Sequence, residues 1–303
     1  MATFPPRWSA LTLGGLLALA AWPAAPAVAG MLETIRSSQE IVLAHRDASV
    51  PFSYLDANAQ PVGYSMDICL KVVEAVRREL AMPALKVRYL PVTSASRIGI
   101  VASGKAALEC GSTTNTAERR KQVSFTIPHF ISAVRLLVRS DSGIKGLDGL
   151  AGRKITVTAG TTTVPVIRRL NAEQDLKLDI TESRDHAEAF AAVEAGRFDA
   201  FALDDVLLFG LRANAAKPQA FAVVGKPMSV EPYAIMLPPA DPAFKKVVDQ
   251  EVRRLIQSGE IHTMYRRWFQ QAIPPKGINL ELPMPAMLKD SFRFPSDKVG
   301  DLE

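Results

Sequence analysis

A chain of 303 residues that is 48% hydrophobic and 22% charged has enough apolar side chain for real cores, which excludes a disordered or polyelectrolyte segment. Its formal charge of +5 is spread along the sequence without a Lys/Arg block, so a nucleic-acid-binding tail is not indicated. Two cysteines and four scattered histidines show no metal-ligand spacing, and neither a metal nor a cofactor is expected.

Residues 1–29 carry one charge, Arg7, then an apolar run from Ala10 to Trp22, then Ala27-Val28-Ala29. A basic start, a short apolar centre and an A-x-A site predict a secretory signal peptide cleaved after Ala29, leaving Gly30 first in the mature chain. The apolar run is shorter than the ~20 residues of a membrane span, and no Cys follows the site to carry a lipid anchor. No later segment is apolar for long enough to span. The remainder is long enough for two domains of ~100–150 residues each. In an oxidising compartment the pair Cys69 and Cys110 invites a disulfide, two buried free thiols being the alternative.

Along the chain, short apolar strands alternate with amphipathic helices. Ile41–Ala44 reads as a strand. Cys69, Val72, Val73, Val76 and Leu80 recur at helical spacing and predict a helix over 66–80. Val87–Leu90 is the next strand, followed by a short helix after Ser96. Ala107–Cys110 is a third strand and runs into the polar loop Gly111-Ser112-Thr113-Thr114-Asn115, with a helix starting at Thr116. The pattern restarts with strands at Leu136–Val138 and Lys154–Thr158. Thr161-Thr162-Thr163 and Val164-Pro165 then mark a helix start. A helix over 185–196 stops at Gly196, and the strand 199–203 ends on Asp204-Asp205. A strand over 233–237 precedes a long helix from Asp241, a break at Gly259 and a shorter helix. After Ile273 a Pro-rich tail is expected to wrap a surface. Strand–helix alternation implies an α/β fold with largely parallel sheets, and two such blocks with a return segment suggest two lobes crossed twice by the chain.

In open α/β sheets, ligands sit at the carboxyl ends of the strands. The residues found there are Arg46; Ser94 and Arg97; Ser112, Thr114 and Arg119; Thr161–Thr163; His186; and Asp204 with Asp205. Arg forks match carboxylates bidentately, an acidic group and hydroxyls suit an α-ammonium, and the helix start behind Thr162 would add backbone donors for an anion. The set therefore suits a zwitterion with an extra negative charge. Each residue also has an ordinary reading: Arg119 lies in a charged run, Arg46 could be a rim charge, Thr161–Thr163 could cap a helix, and His186 could be a surface residue. No G-x-S-x-G elbow, P-loop or H-E-x-x-H points to catalysis.

At these same positions the chain resembles the periplasmic amino-acid-binding proteins of ABC importers, bacterial solute-binding family 3, and closely their glutamate/aspartate-binding branch. The resemblance covers essentially the whole mature chain. It is carried by HRDASVPFSYLD (45–56), PVGYSMDIC (61–69), PVTSASRI (91–98), ECGSTTNTAERRKQVSF (109–125), TAGTT (158–162), AGRFDAFALDDVLL (195–208) and KKVVDQEVRRLIQSGEIHTMYRRWF (245–269). Position by position, it implies that Arg119, Thr114 and the backbone of Thr162 hold an α-carboxylate. Asp204, with Ser112 and Thr114, would hold the α-ammonium, and Arg46, Ser94, Arg97 and His186 the side-chain carboxylate. Ala107 departs from the Asp often found there, a matter of packing rather than ligand.

The family fold implies a two-lobed, type II periplasmic binding protein, with lobe one at 30–132 and 228–303 and lobe two at 133–227, closing by a hinge. The expected partners are glutamate or aspartate and a membrane permease, and the expected state is a monomer without catalytic activity. A dehydratase of a cyclic carboxylic acid on the same scaffold is the alternative, since fold does not fix function. A sensory module is a third reading.

Overall fold

The computed structural model describes residues 1–4 and 30–299. The expected signal peptide, from residue 5 to its cleavage site at Ala29, lies outside the described residues. Helix α1 (Met31–Ser38) leads into β1 (Glu40–His45), a meander of three short strands, β2 (Ala48–Ser49), β3 (Ser53–Leu55) and β4 (Pro61–Val62), and then helix α2 (Tyr64–Leu80). Next come β5 (Lys86–Pro91), α3 (Arg97–Ala102), β6 (Leu108–Glu109), α4 (Ala117–Arg120) and β7 (Ser124–Phe125). The α2 stripe of Cys69, Val72, Val73, Val76 and Leu80 is buried, as its helical spacing requires. Cys69 and Cys110 are disulfide-bonded, with Cα atoms 6.1 Å apart. The bond ties α2 to the residue that follows β6. For partners 41 residues apart, the loss of unfolded-chain entropy is worth about 4 kcal/mol.

The chain then crosses. Strand β8 (Phe130–Ser132) leads to a second run of β9 (Val134–Arg139), β10 (Lys154–Thr158), α5 (Thr163–Glu173), β11 (Asp179–Ser183), α6 (His186–Glu194), β12 (Ala200–Asp204), α7 (Asp205–Asn214) and β13 (Phe221–Val224). It returns through β14 (Glu231–Tyr233), which pairs antiparallel with β8, and continues with β15 (Met236–Leu237), α8 (Pro242–Gln257), α9 (Glu260–Phe269) and α10 (Ala286–Arg293). Two separate five-stranded sheets result, ordered β5-β1-β6-β15-β7 and β11-β10-β12-β9-β13. In the first, β1 runs parallel to β5 and β6; in the second, β10 runs parallel to β11 and β12. This is the two-lobed α/β architecture, joined by the β8–β14 ribbon.

Local sequence explains where the helices begin. Asp185 accepts from the Glu188 amide at 2.9 Å at the head of α6. Glu188 reaches back to the Arg184 amide at 3.0 Å, which satisfies a further orphan donor. Asp241 caps α8 through the Phe244 amide at 2.9 Å and, with its other oxygen, takes the Met31 amide at 2.6 Å. One carboxylate therefore fixes both α8 and the start of α1. An aromatic core anchors the crossing ribbon: Phe130 and Tyr233 pack on Phe52 with ring centroids 5.0 and 5.1 Å away, and Phe269 lies 5.0 Å from Phe130.

Three features depart from the sequence expectation. The single strand predicted over 233–237 is two strands, because the chain changes partners between them. The Tyr233 segment pairs with β8, the Ala234 amide then donates to Thr113 O at 3.0 Å, and Met236 joins the first sheet. The Pro-rich tail expected to wrap a surface also contains a helix that was not predicted, α10, which buries Leu288 and Phe292. Helix α7 follows β12 directly, where the sequence reading ended on Asp204-Asp205.

Candidate functional site

Six parallel strands end at one place. β1, β5 and β6 of the first sheet point their carboxyl ends at those of β10, β11 and β12 of the second. A small cavity lies between them, lined by Ser94, Arg97, Ser112, Thr114, Thr161, Thr162, His186, Asp204 and Leu207. Of the predicted site residues, Ser94, Arg97, Ser112, Thr114, Thr162, His186 and Asp204 thus line one cavity. Arg46 and Arg119 stand immediately behind it, and both are buried. A larger open groove beside Lys145, Asp148 and Lys226 has only exposed polar groups in its lining.

The loop after β6 is held from two directions. Its backbone pairs with β14, where the Asn115 amide donates to Pro232 O at 2.8 Å. From below, Ser65 Oγ donates to Gly111 O at 2.7 Å and lies 2.8 Å from His129 Nε2. Gly111 packs closely on the buried Glu109: a Cβ there would sit 2.1 Å from Glu109 Oε1, so that side chain would have to shift. The Glu109 carboxylate is fully buried under the loop and takes the Thr113 hydroxyl at 2.6 Å.

Arg119 donates Nη1 to Thr114 O at 2.9 Å and Nη2 to Gly160 O at 3.2 Å, the second bond crossing between lobes. Burial and then Arg97 lower its pKa to about 10. Burial and Arg97 likewise lower Arg46 to about 9, with Glu109 opposing. Both guanidiniums therefore remain charged at neutral pH, and Arg97 lies between them electrostatically.

His186 sits 3.5 Å from Arg46 Nη2 through Nε2 and 2.9 Å from Thr158 Oγ1 through Nδ1. A guanidinium only donates, so Nε2 accepts and the ring proton is on Nδ1. Burial first, and Arg46 and Arg97 next, hold its pKa well below the usual histidine value. His186 thus enters as a neutral ring that orients Arg46, not as another cation.

Asp204 takes the Tyr233 hydroxyl on Oδ2. Burial and then Glu231 push its carboxyl well above the usual range, the Tyr233 bond opposing. Several buried polar atoms here have no protein partner: Arg46 Nη1, Arg97 Nε, Ser94 Oγ, Glu109 Oε1 and Asp204 Oδ1. Each such atom costs about 1–3 kcal/mol if left unpaired. Arg97, Ser94 and Asp204 line the cavity, so donor and acceptor groups without protein partners meet there, as a polar ligand requires. No group of His, Cys, Asp or Glu suited to a metal occurs among the described residues.

Residues 41–271 match the family model of bacterial extracellular solute-binding proteins, family 3. The chain belongs to that family. It is 46% identical over 288 residues to an "L-glutamate/L-aspartate-binding protein" of Pseudomonas aeruginosa, covering 93% of this chain and 95% of that one. It is 41% identical over 276 residues to a "Glutamate/aspartate import solute-binding protein" of Escherichia coli, covering 91% of each. Among solved structures, the cysteine-binding protein of Campylobacter jejuni superposes with a TM-score of 0.68 at 23% identity, over 79% of this chain and 93% of that one, which shows the shared fold.

Sequence reasoning missed Glu109, Glu231 and Tyr233. All lie inside strands rather than after them, so a rule that inspects strand ends passes over them. Tyr233 reads as core, and Glu231 gives no signal until β14 is known to cross between lobes.

Proposed function

We propose that this solute-binding protein takes glutamate or aspartate in the periplasm, between its two lobes, and delivers it to the membrane permease of an ABC importer. The lobes are assigned to residues 30–132 with 228–303 and to residues 133–227. The reading is carried by a cavity between the sheets, with Arg46, Arg97 and Arg119 massed around it and Asp204 Oδ1 buried there without a partner. The acidic-amino-acid names of the two relatives agree with that chemistry.

In this reading, Arg119, Thr114 and the Thr162 backbone hold the α-carboxylate. Asp204 with Ser112 and Thr114 takes the α-ammonium. Ser94, Arg97 and Arg46 take the distal carboxylate, with His186 setting the Arg46 fork. Burying a dicarboxylate requires a cation at each end, because an unpaired buried charge is costly. Calorimetric titration of the mature protein with the common amino acids tests the reading. Glutamate and aspartate should bind far more tightly than glutamine, and absence of binding by either acid would overturn it. Arg97→Ala should weaken glutamate by about 2–5 kcal/mol, since it strands a carboxylate without its partner.

A further inference from the structure

Glu231 lies on β14, in the ribbon that joins the lobes, and is 3% exposed. Its Oε2 accepts the Thr114 hydroxyl at 2.7 Å and the Thr162 hydroxyl at 2.7 Å. Thr114 follows a strand of the first sheet, and Thr162 precedes a helix of the second. Ser229 Oγ occupies the other oxygen at 2.6 Å. One carboxylate on the crossing strand thus receives a hydroxyl from each side of the cavity. Both threonines line that cavity together with Asp204. Two residues along the same strand, Tyr233 donates to Asp204.

We propose that Glu231 is a specificity-determining positioning residue: it latches Thr114 and Thr162 together on closure and supplies, behind Asp204, a second negative charge that selects ligands bearing an α-ammonium. The inference rests on the proposed acidic-amino-acid reading. Hydroxyls that give their hydrogens to Glu231 turn their lone pairs outward, so both threonine hydroxyls face a ligand as acceptors, which an ammonium satisfies and a methylene does not, and Thr114 serves the α-carboxylate through its backbone amide. Glu231 makes ionising Asp204 costly, and a cation delivered between the two groups offsets that cost as Asp204 gives up its proton. A dicarboxylate without the amine offers no such offset.

The test compares L-glutamate with glutarate, which has the same two carboxylates and no amine, by calorimetry on wild type, Glu231→Gln and Glu231→Asp. Wild type should favour glutamate strongly. Glu231→Gln removes the charge at nearly constant shape, and the glutamate-to-glutarate preference should narrow at least tenfold. Glu231→Asp keeps the charge but shortens the reach, so glutamate should weaken while the preference stays close to that of wild type. Equal weakening of both ligands in Glu231→Gln would overturn the proposal and leave Glu231 a structural residue. If Glu231→Gln does not fold, as judged by its melting curve, Glu231→Asp decides alone, and a lost preference there overturns the proposal. Failure of wild type to bind glutamate would instead overturn the acidic-amino-acid reading itself, a separate outcome.

Discussion

Tyr233 gives its phenolic hydrogen to Asp204 Oδ2, while Asp204 Oδ1 is buried with no protein partner. The two residues come from different parts of the chain, the crossing strand β14 and the end of β12. The bond therefore orients the carboxylate from the hinge side and leaves one oxygen for the cavity.

This arrangement predicts proton release on binding. The folded carboxyl is held well above the ordinary value by burial and Glu231, so the folded protein keeps a proton over a window where the unfolded chain has lost it. Stability from this group is fully present below the unfolded value and is lost as pH rises through the raised one. An α-ammonium needs the ionised form. Glutamate affinity should therefore fall as pH drops below the raised value, and calorimetry in buffers of different ionisation enthalpy should detect a released proton. Asp204→Asn should abolish that release and cost about 2–5 kcal/mol of glutamate binding. Unchanged proton release in the variant would refute the assignment.

The strand-end rule located these residues because the parallel strands of both sheets are legible as apolar runs followed by polar loops. Arg46, Ser94, Ser112, Thr162, His186 and Asp204 all follow such runs. What closes the site was not legible. Glu231 and Tyr233 depend on β14 pairing with β8 about a hundred residues away in sequence, and no local period encodes a partner at that distance. Helix α7 was missed for another reason: Val206, Leu207 and Leu208 are buried consecutively, so no amphipathic stripe is visible. The β2–β4 meander has strands of two or three residues, too short for alternation to register.

His129 gives a stability prediction. Its ring is 1% exposed, and burial lowers its pKa from the usual value to about 3. His186 is shifted in the same direction. For His129, between about pH 6.5 and 3 the unfolded chain binds a proton that the folded protein refuses, so its contribution is present above the unfolded value and is lost as pH falls towards the folded one, and His186 acts in the same direction. The slope is up to about 1.4 kcal/mol per pH unit per histidine. Thermal melts across this range should show falling stability on acidification, and His129→Gln should flatten the curve. An identical pH dependence in the variant would exclude His129 as a source.

Gly160 gives the sharpest test of closure. It follows β10 with φ +74°, and a Cβ on it would lie 2.6 Å from Ala95 Cα, 2.7 Å from Ala95 N and 2.9 Å from Ser94 C. Those atoms are backbone on the opposite lobe, so they cannot swing aside as a side-chain tip would. The same residue's carbonyl accepts Arg119 Nη2. Gly160→Ala should therefore hold the lobes apart. The left-handed conformation costs an L-residue about 1–2 kcal/mol, which for a chain of this size is a few degrees of Tm. Glutamate affinity should fall far more, by at least a hundredfold. Small-angle scattering should show wild type contracting with glutamate and the variant failing to contract. A Gly160→Ala protein that contracts and binds like wild type would mean that the lobes can close without Gly160 meeting Ala95.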